Sequence, residues 1–282
     1  MDTQKIPPDD HLRGGVQSVW VHGRRGGQVF DAQDWLAEEV PVALEYNGIS
    51  QAVMLATPLD LEDFAIGFSL SEGLIDAPQE VFDIEESVSG LGITLKMRVA
   101  GACFARLKDR RRQLAGRTGC GLCGIDSLAQ LASPARTPAL QPAYQGEPLA
   151  ADAITQGLSQ LAERQSLQEL TGAVHAAAWC SDEGELLALR EDVGRHNALD
   201  KLIGALARAD TPPTTGFIAI TSRASFEMVQ KAVLAGAPLL VAVSAPTALA
   251  VRSAEQAGLT LAGWAREGDL VLYSHGHRVI LE

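Results

Sequence analysis

The chain has 282 residues, of which 46% are hydrophobic and 21% charged. That balance excludes disorder over the whole length and leaves room for one large domain or two modest ones. Lys and Arg number 23 against 35 Asp and Glu, a net charge of -12, so general nucleic-acid binding, which needs a basic face, is not expected.

In chain order, residues 1–30 read as a flexible N-terminal arm, punctuated by Pro7, Pro8, Gly14, Gly15, Gly23, Gly26 and Gly27, with one short strand near Val16–Val21. Folded sequence is expected from near Trp35. Residues 31–108 read as a smaller N-terminal α+β domain. In it Asn47-Gly48 turns a hairpin. A helix opens at Pro58, carries Leu61, Phe64, Ala65 and Phe68, and stops at Gly73; strands follow at Val81–Ile84 and Ile93–Val99. Residues 109–150 form a basic loop with Cys120-Gly121-Leu122-Cys123, a capping-box helix at Ser127 and a linker marked by Pro134, Pro138, Pro142 and Pro148.

From 151 to 282 strands and helices alternate. Asp152 is expected to cap a helix, and Ala173–Cys180 and Glu185–Leu189 to pair about Asp182-Glu183-Gly184. Asn197 is expected to cap a second helix. Then come strand Phe217–Thr221, helix Ser225–Ala235, strand Leu239–Ser244 and helix Pro246–Ala257. Leu270–Tyr273 and Arg278–Leu281 suit a closing hairpin. Strands joined by helical crossovers imply parallel pairing, so the fold class is α/β (α+β overall), with a smaller β-rich N-terminal part. The most apolar run, Ala237 to Val251, is broken by Pro238, Ser244, Pro246 and Thr247 and falls short of the roughly 20 apolar residues that span a bilayer. The first ten residues lack an apolar signal core, so cytoplasmic residence is expected, with no membrane partner.

Four cysteines are present. Cys120 and Cys123 are flanked by Gly119, Gly121 and Gly124 and preceded by Arg106, Lys108, Arg110, Arg111, Arg112 and Arg117. Positive charge favours thiolate, the form that attacks sulfur or binds metal. Half of a zinc knuckle is the competing reading, weakened because no second Cys-x-x-Cys or spaced His pair completes four ligands. Cys103 and Cys180 have apolar neighbours and read as buried thiols. Ligands of open α/β sheets lie beyond the carboxyl ends of the strands. Ser222 and Arg223 follow one buried strand and Ser244 the other, and helix N-termini with hydroxyls and an arginine suit phosphate; ordinary capping is the alternative. Arg190–Asn197, which includes His196, is either a solvated connector or a source of acid–base and anion-binding groups. His175, among small residues, reads as a core histidine.

Taken together, EVPVALEYNG, DFAIGFSLSEG, TGCGLCG, TGAVHAAAW, REDVGRHNALDKLIG and SRASFEMVQK resemble the formate dehydrogenase accessory sulfurtransferase family (FdhD) over nearly the whole chain after the arm. The resemblance implies a sulfurtransferase. It would accept persulfide sulfur from a cysteine desulfurase on Cys120, assisted by Cys123, and pass it to the Mo-bis(molybdopterin guanine dinucleotide) cofactor that formate dehydrogenase requires. A guanine nucleotide should mimic that cargo. The resemblance also implies a homodimer and a cytidine-deaminase-like fold for 151–282, with cofactor contacts at Trp264, Ala265, Arg266, Glu267, Gly268 and Asp269. Where family members often read Lys-Pro-Gly-Arg, this chain carries Glu267 and Asp269, which removes the final base. His175-Ala176-Ala177 then looks like a His-x-Glu motif without its Glu, and the cysteine pair lies upstream, so deamination is disfavoured. The alternative within the same family setting is a non-catalytic molybdenum-cofactor chaperone.

Overall fold

The computed structural model describes residues 8–114, 146–210, 215–266 and 268–282. From residue 8 onward the expected arm is instead regular structure. A 3-10 turn at Asp10–Gly15 leads into β1 (Val16–Arg25) and β2 (Gln28–Ala37), an antiparallel hairpin in unbroken register from Val16 opposite Ala37 to Arg25 opposite Gln28. Gly26 and Gly27, at φ 57° and 86°, are not looseness. They are the pair of left-handed residues that a two-residue hairpin turn demands. The base of the hairpin is fixed by Leu12 and Val16 packing with Leu167 and Val174, joined by Trp35 and Leu59. Trp35 therefore lies late in the second strand rather than at the start of the fold.

β3 (Val40–Tyr46), β4 (Ile49–Ala56), β5 (Val81–Ser89) and β6 (Gly92–Val99) form a sheet in the order β4-β3-β6-β5, with β3 and β6 parallel. Period-two alternation buries Val42, Leu44 and Tyr46 on β3 and Ile93, Leu95, Met97 and Val99 on β6. They meet Phe64, Ala65 and Phe68 of α1 (Leu61–Ser71) and Cys103 and Leu107 of α2 (Gly101–Leu114). The helix begins at Leu61 rather than Pro58, because Asp60 in the left-handed region turns the chain into it.

The second sheet is built from β8 (His175–Cys180), β9 (Leu186–Asp192), β10 (Phe217–Ile220), β11 (Leu239–Ala242), β12 (Thr260–Arg266) and β13 (Asp269–Ser274), in the order β13-β12-β11-β10-β8-β9. β10, β11 and β12 are parallel; β8 runs against both β10 and β9, so β9 shares the direction of the central three. One face carries α5 (Arg195–Arg208), α6 (Phe226–Leu234) and α7 (Ala248–Ala257), through Leu199, Leu202, Met228, Ala232 and Ala254. The other carries α3 (Ala151–Arg164) through Ile154 and Leu161, followed by the short α4 (Ser166–Thr171). Helices on both faces make this an α/β/α layer, in keeping with the α/β fold class expected from the alternation of strands and helices.

Three local expectations fail there. Asp152 lies in the first turn of α3, whose cap position is Ala150. Asn197 lies inside α5, buried, while Gly194 takes the cap position. No hairpin closes the chain: β13 pairs with β12, and the last strand, β14 (Val279–Ile280), pairs in parallel with β7 (Leu149–Ala150). β12 has no expected counterpart in the sequence reading, yet without it β13 would have no neighbour in the sheet. No described helix is long and apolar enough to cross a membrane.

Candidate functional site

The topology brings the carboxyl ends of β9, β10, β11 and β12 to one edge. The N-termini of α5, α6 and α7 begin on that edge, and β8 starts there, His175 standing opposite Asp192. This is where ligands of α/β sheets bind. Of the expected site residues, His196, Ser222, Arg223, Ser244, Trp264, Ala265, Arg266, Gly268 and Asp269 lie on or beside this edge. Cys120, Cys123 and Glu267 lie outside the described residues, as do the Ser127 helix and Pro134, Pro138 and Pro142 of the linker.

The edge is unevenly suited to a ligand. Ser222 is buried and its hydroxyl donates to the carbonyl of Arg223 at 3.1 Å, while the Arg223 side chain is exposed. Ser244 offers its carbonyl to the Trp264 amide. Ala265 is buried and contributes backbone only. Trp264 holds φ at 52° and stays 42% exposed, with the Arg266 guanidinium 5.4 Å from its ring centre. A bulky side chain in the left-handed region is strained, and such strain clusters at binding sites. Gly268, at φ 88°, turns β12 into β13. Asp269 then stands opposite Arg266 in the strand register. A carboxylate there opposes a phosphate rather than binding one.

Across β10 a second cluster forms. Nε2 of His196 lies 2.9 Å from the Glu227 carboxylate, and this histidine holds the Glu227 carboxyl below its ordinary range. His175 is shifted the other way from a charged form: burial first, then the neighbouring Arg195 and His196, lower its pKa and keep it neutral. The Nε of Arg195 and the Oγ of Ser225 are buried without a hydrogen-bond partner among the described residues. His175 is thus not a core histidine. It lines an open cleft of about 470 Å3 with Gln165, Gln168, Gly172, Ala173, Val174 and Thr221. Glu227 and the two glutamines escaped the sequence reading. Glu227 carries a weak signal, a carboxylate in the first turn after Ser225, whereas the glutamines carry none.

The segment Arg190–Asn197 divides in two, and neither half is a solvated connector. Asp192 is fully buried: it lies 2.6 Å from the equally buried Lys201 ammonium and accepts from the amides of Thr57 and Gly194 and from Nδ2 of Asn197. Lys201 donates to the Thr57 carbonyl, Asn197 to that of Leu55, and Arg190 to Asp63. These groups fasten β4 and α1 to the layer domain. Arg195 and His196 alone remain for chemistry at the edge.

The two described cysteines are poor nucleophiles. Cys180 is buried, which pushes its thiol up to about 12, and Cys103 is raised by burial and by Glu80. Neither offers thiolate at neutral pH. Among the described residues, no three His, Cys, Asp or Glu side chains group as metal ligands.

Known proteins share this architecture and much of this sequence. The model of the FdhD/NarQ family matches residues 37–280. The chain is 60% identical over 266 residues to sulfur carrier protein FdhD of Variovorax paradoxus (strain S110), covering 94% of each. It is 55% identical over 255 residues to the protein of the same name from Cupriavidus necator, covering 90% of this chain and 87% of that one. A crystal structure from Desulfotalea psychrophila, described as a formate dehydrogenase accessory protein, superposes with a TM-score of 0.70 at 21% identity over 94% of this chain and 99% of that one. That likeness is one of fold.

Proposed function

This chain belongs to the FdhD/NarQ family, and from that premise we propose that it is a sulfur carrier that loads persulfide sulfur onto the molybdenum of bis(molybdopterin guanine dinucleotide) for formate dehydrogenase. The sulfur part of this reading is supported by near full-length identity to proteins named as sulfur carriers. The cargo part rests on the edge described above, along which the strand order sets Arg195, His196, Arg223 and Arg266 in a chain of net charge -12. That row of basic residues is the observation that carries the proposal.

The chemistry divides between the cysteine pair and the edge. The Cys120 thiolate attacks the outer sulfur of a desulfurase persulfide. A new S–S bond forms on Cys120, and the desulfurase thiolate leaves. For release, the Cys123 thiol attacks the inner sulfur of the Cys120 persulfide. A Cys120–Cys123 disulfide forms, and the outer sulfur departs as hydrosulfide. The two thiols supply the electrons that turn sulfane sulfur into sulfide. Sulfide then replaces an oxygen ligand of the molybdenum, which leaves as water. The edge residues hold the cargo's phosphates during this exchange through charge-assisted contacts from Arg195, Arg223 and Arg266. A cysteine desulfurase and formate dehydrogenase are the partners this scheme requires, and a homodimer is the assembly proposed for it.

Peptide mass spectrometry after incubation with a cysteine desulfurase and cysteine tests the reading. One added sulfur on the peptide holding Cys120 and Cys123, lost on reduction and absent in Cys120→Ala, is the expected result. No added sulfur, with the desulfurase shown to be active, overturns the relay. If a Cys120/Cys123 double variant still activates formate dehydrogenase, the chain is a cofactor chaperone instead.

A further inference from the structure

We propose that the edge strand β5 is a docking surface for an extended basic segment of a partner protein, which joins the first sheet as a fifth strand. The inference is independent of the cofactor reading, because no residue of the ligand edge takes part.

β5 ends the order β4-β3-β6-β5 and pairs with β6 alone among the described strands. It is nine residues long, and the row of N–H and C=O groups along such an edge is a template for another chain. β4, at the other end of the sheet, is by contrast fastened where it leaves the sheet: its Leu55 carbonyl accepts from Asn197, and the Thr57 amide just beyond it donates to Asp192. The side chains along β5 are not those of a strand left to water. Phe82 is 59% exposed and Val88 73%, and Leu91, in the turn to β6, is 90% exposed. Exposed apolar groups rimmed by polar ones mark an interaction site.

Charge chooses the occupant. Residues 81–92 carry Asp83, Glu85 and Glu86 and no base. Lys96 answers Glu85 at 2.9 Å. Arg98 stands opposite Asp83 in the register but forms no ion pair with it, and Glu86 has no ion-pair partner among the described residues. Ile84, Glu86 and Val88 share the face of the buried Met97, Leu95 and Ile93. On that face Glu86 opens on a cleft of about 260 Å3 with Asp60, Leu61, Glu62 and Asp63 at the start of α1 and Arg208 of α5. Arg208 engages Glu62 and Asp63, and Arg190 engages Asp63 and Asp60, so Glu86 is the carboxylate left for a ligand. Every second side chain of an added strand meets this face, and a lysine or arginine there pairs with Glu86. A second copy of β5 is a poor occupant. Laid antiparallel with its centre anywhere from Ile84 to Glu86, it sets carboxylate opposite carboxylate, which destabilises the pair.

The test is fluorescence anisotropy of the full-length chain with a labelled nine-residue peptide that alternates arginine with valine or threonine. Two copies serve as controls. One has glutamate for arginine; the other has proline at every uncharged position, which keeps the charge but cannot extend a sheet. Glu86→Lys reverses an exposed charge, and Phe82→Thr removes the ring but keeps a strand-forming residue. Thermal melting reports folding, and should Phe82→Thr melt early, Glu86→Lys decides. The arginine peptide should bind at least tenfold more tightly than either control and lose at least fivefold in each variant that folds. It should also slow hydrogen exchange within residues 81–89. No binding of the arginine peptide, equal binding of the proline copy, native-like binding by Glu86→Lys, or exchange slowed only outside 81–89 overturns the proposal.

Discussion

Gly67 of α1 and Gly204 of α5 meet backbone to backbone. A Cβ on Gly67 would stand 2.8 Å from the amide nitrogen of Gly204, and one on Gly204 would stand 2.9 Å from that of Gly67. The carbonyls of Asp200 and Asp63, each one helical turn before the opposing glycine, lie closer still. The two halves of the molecule are therefore joined by a reciprocal helix crossing that tolerates no side chain at its centre.

Replacing either glycine should be severe, because the neighbouring atoms are backbone. Gly67→Ala should cost about 3 kcal/mol or more, the upper end for overpacking, and lower the melting temperature by roughly 6–12 °C in a chain of this size. Gly101→Ala is the control: nothing lies within 4 Å of its Cβ position, and its melting temperature should stay within a degree or two of native. Equal behaviour of the two variants would contradict the crossing.

The Asp192–Lys201 pair adds a charged fastening to the same joint. Lys201→Met leaves the Asp192 carboxylate buried without its cation, and removal of one partner from a buried pair costs about 3–5 kcal/mol. The Asp192→Asn/Lys201→Met double variant should recover part of that loss in urea denaturation. A single variant as stable as the native chain would show that the pair contributes nothing.

His175 should titrate below its ordinary 6.5. A lowered histidine pKa means the unfolded chain binds the proton more readily, so this residue erodes stability as the pH falls through 6.5 towards the folded midpoint. Its NMR titration gives the midpoint directly. Arg195→Gln should move that midpoint upward but leave it below 6.5, because burial is the larger cause. A midpoint at or above 6.5 in the native chain would refute the account.

Glu227 follows the opposite sign. Its carboxyl is lowered mainly by His196, so its contribution is present above 4.5 and lost as the pH falls through its folded midpoint. In His196→Gln the Glu227 midpoint should rise, as read by carboxyl-resolved NMR; no movement would mean the 2.9 Å contact carries no coupling.

The backbone of Trp264 separates strain from use. Trp264→Gly removes a left-handed non-glycine residue, which costs about 1–2 kcal/mol, and also removes the exposed ring. The variant should melt no lower than the native chain while its affinity for GMP falls several-fold. A lower melting temperature with unchanged GMP affinity would make Trp264 a structural residue only.

Much of the layer domain was legible in the residues themselves. Phe217–Ile220 and Leu239–Ala242 are short apolar runs, and α6 and α7 carry helical spacing ended by Gly236 and Gly258. Such signals are local, so they survive without tertiary context. The cysteine spacing and the junction residues Ser222, Arg223 and Ser244 were legible for the same reason. The N-terminal hairpin is the exception: Gly26-Gly27 carries its turn signal, but paired glycines also mark a flexible arm, and only the partner strand separates the two.

What tertiary structure alone decided are relations between distant residues. β14 finds β7 rather than β13. Asp192 and Asn197 leave the solvent for a joint with Thr57 and Leu55. Gln165, Gln168, His175 and Thr221 arrive at one cleft from three segments. None of these leaves a periodic trace, because each depends on which buried polar group finds its partner once the helices have packed. The amino-acid sequence determined the elements and the reactive residue types. The packing of α1 against α5 and the shared edge of the sheet decided which of those residues are buried in the joint and which stand open at the edge, since burial and partnering are properties of the assembled chain.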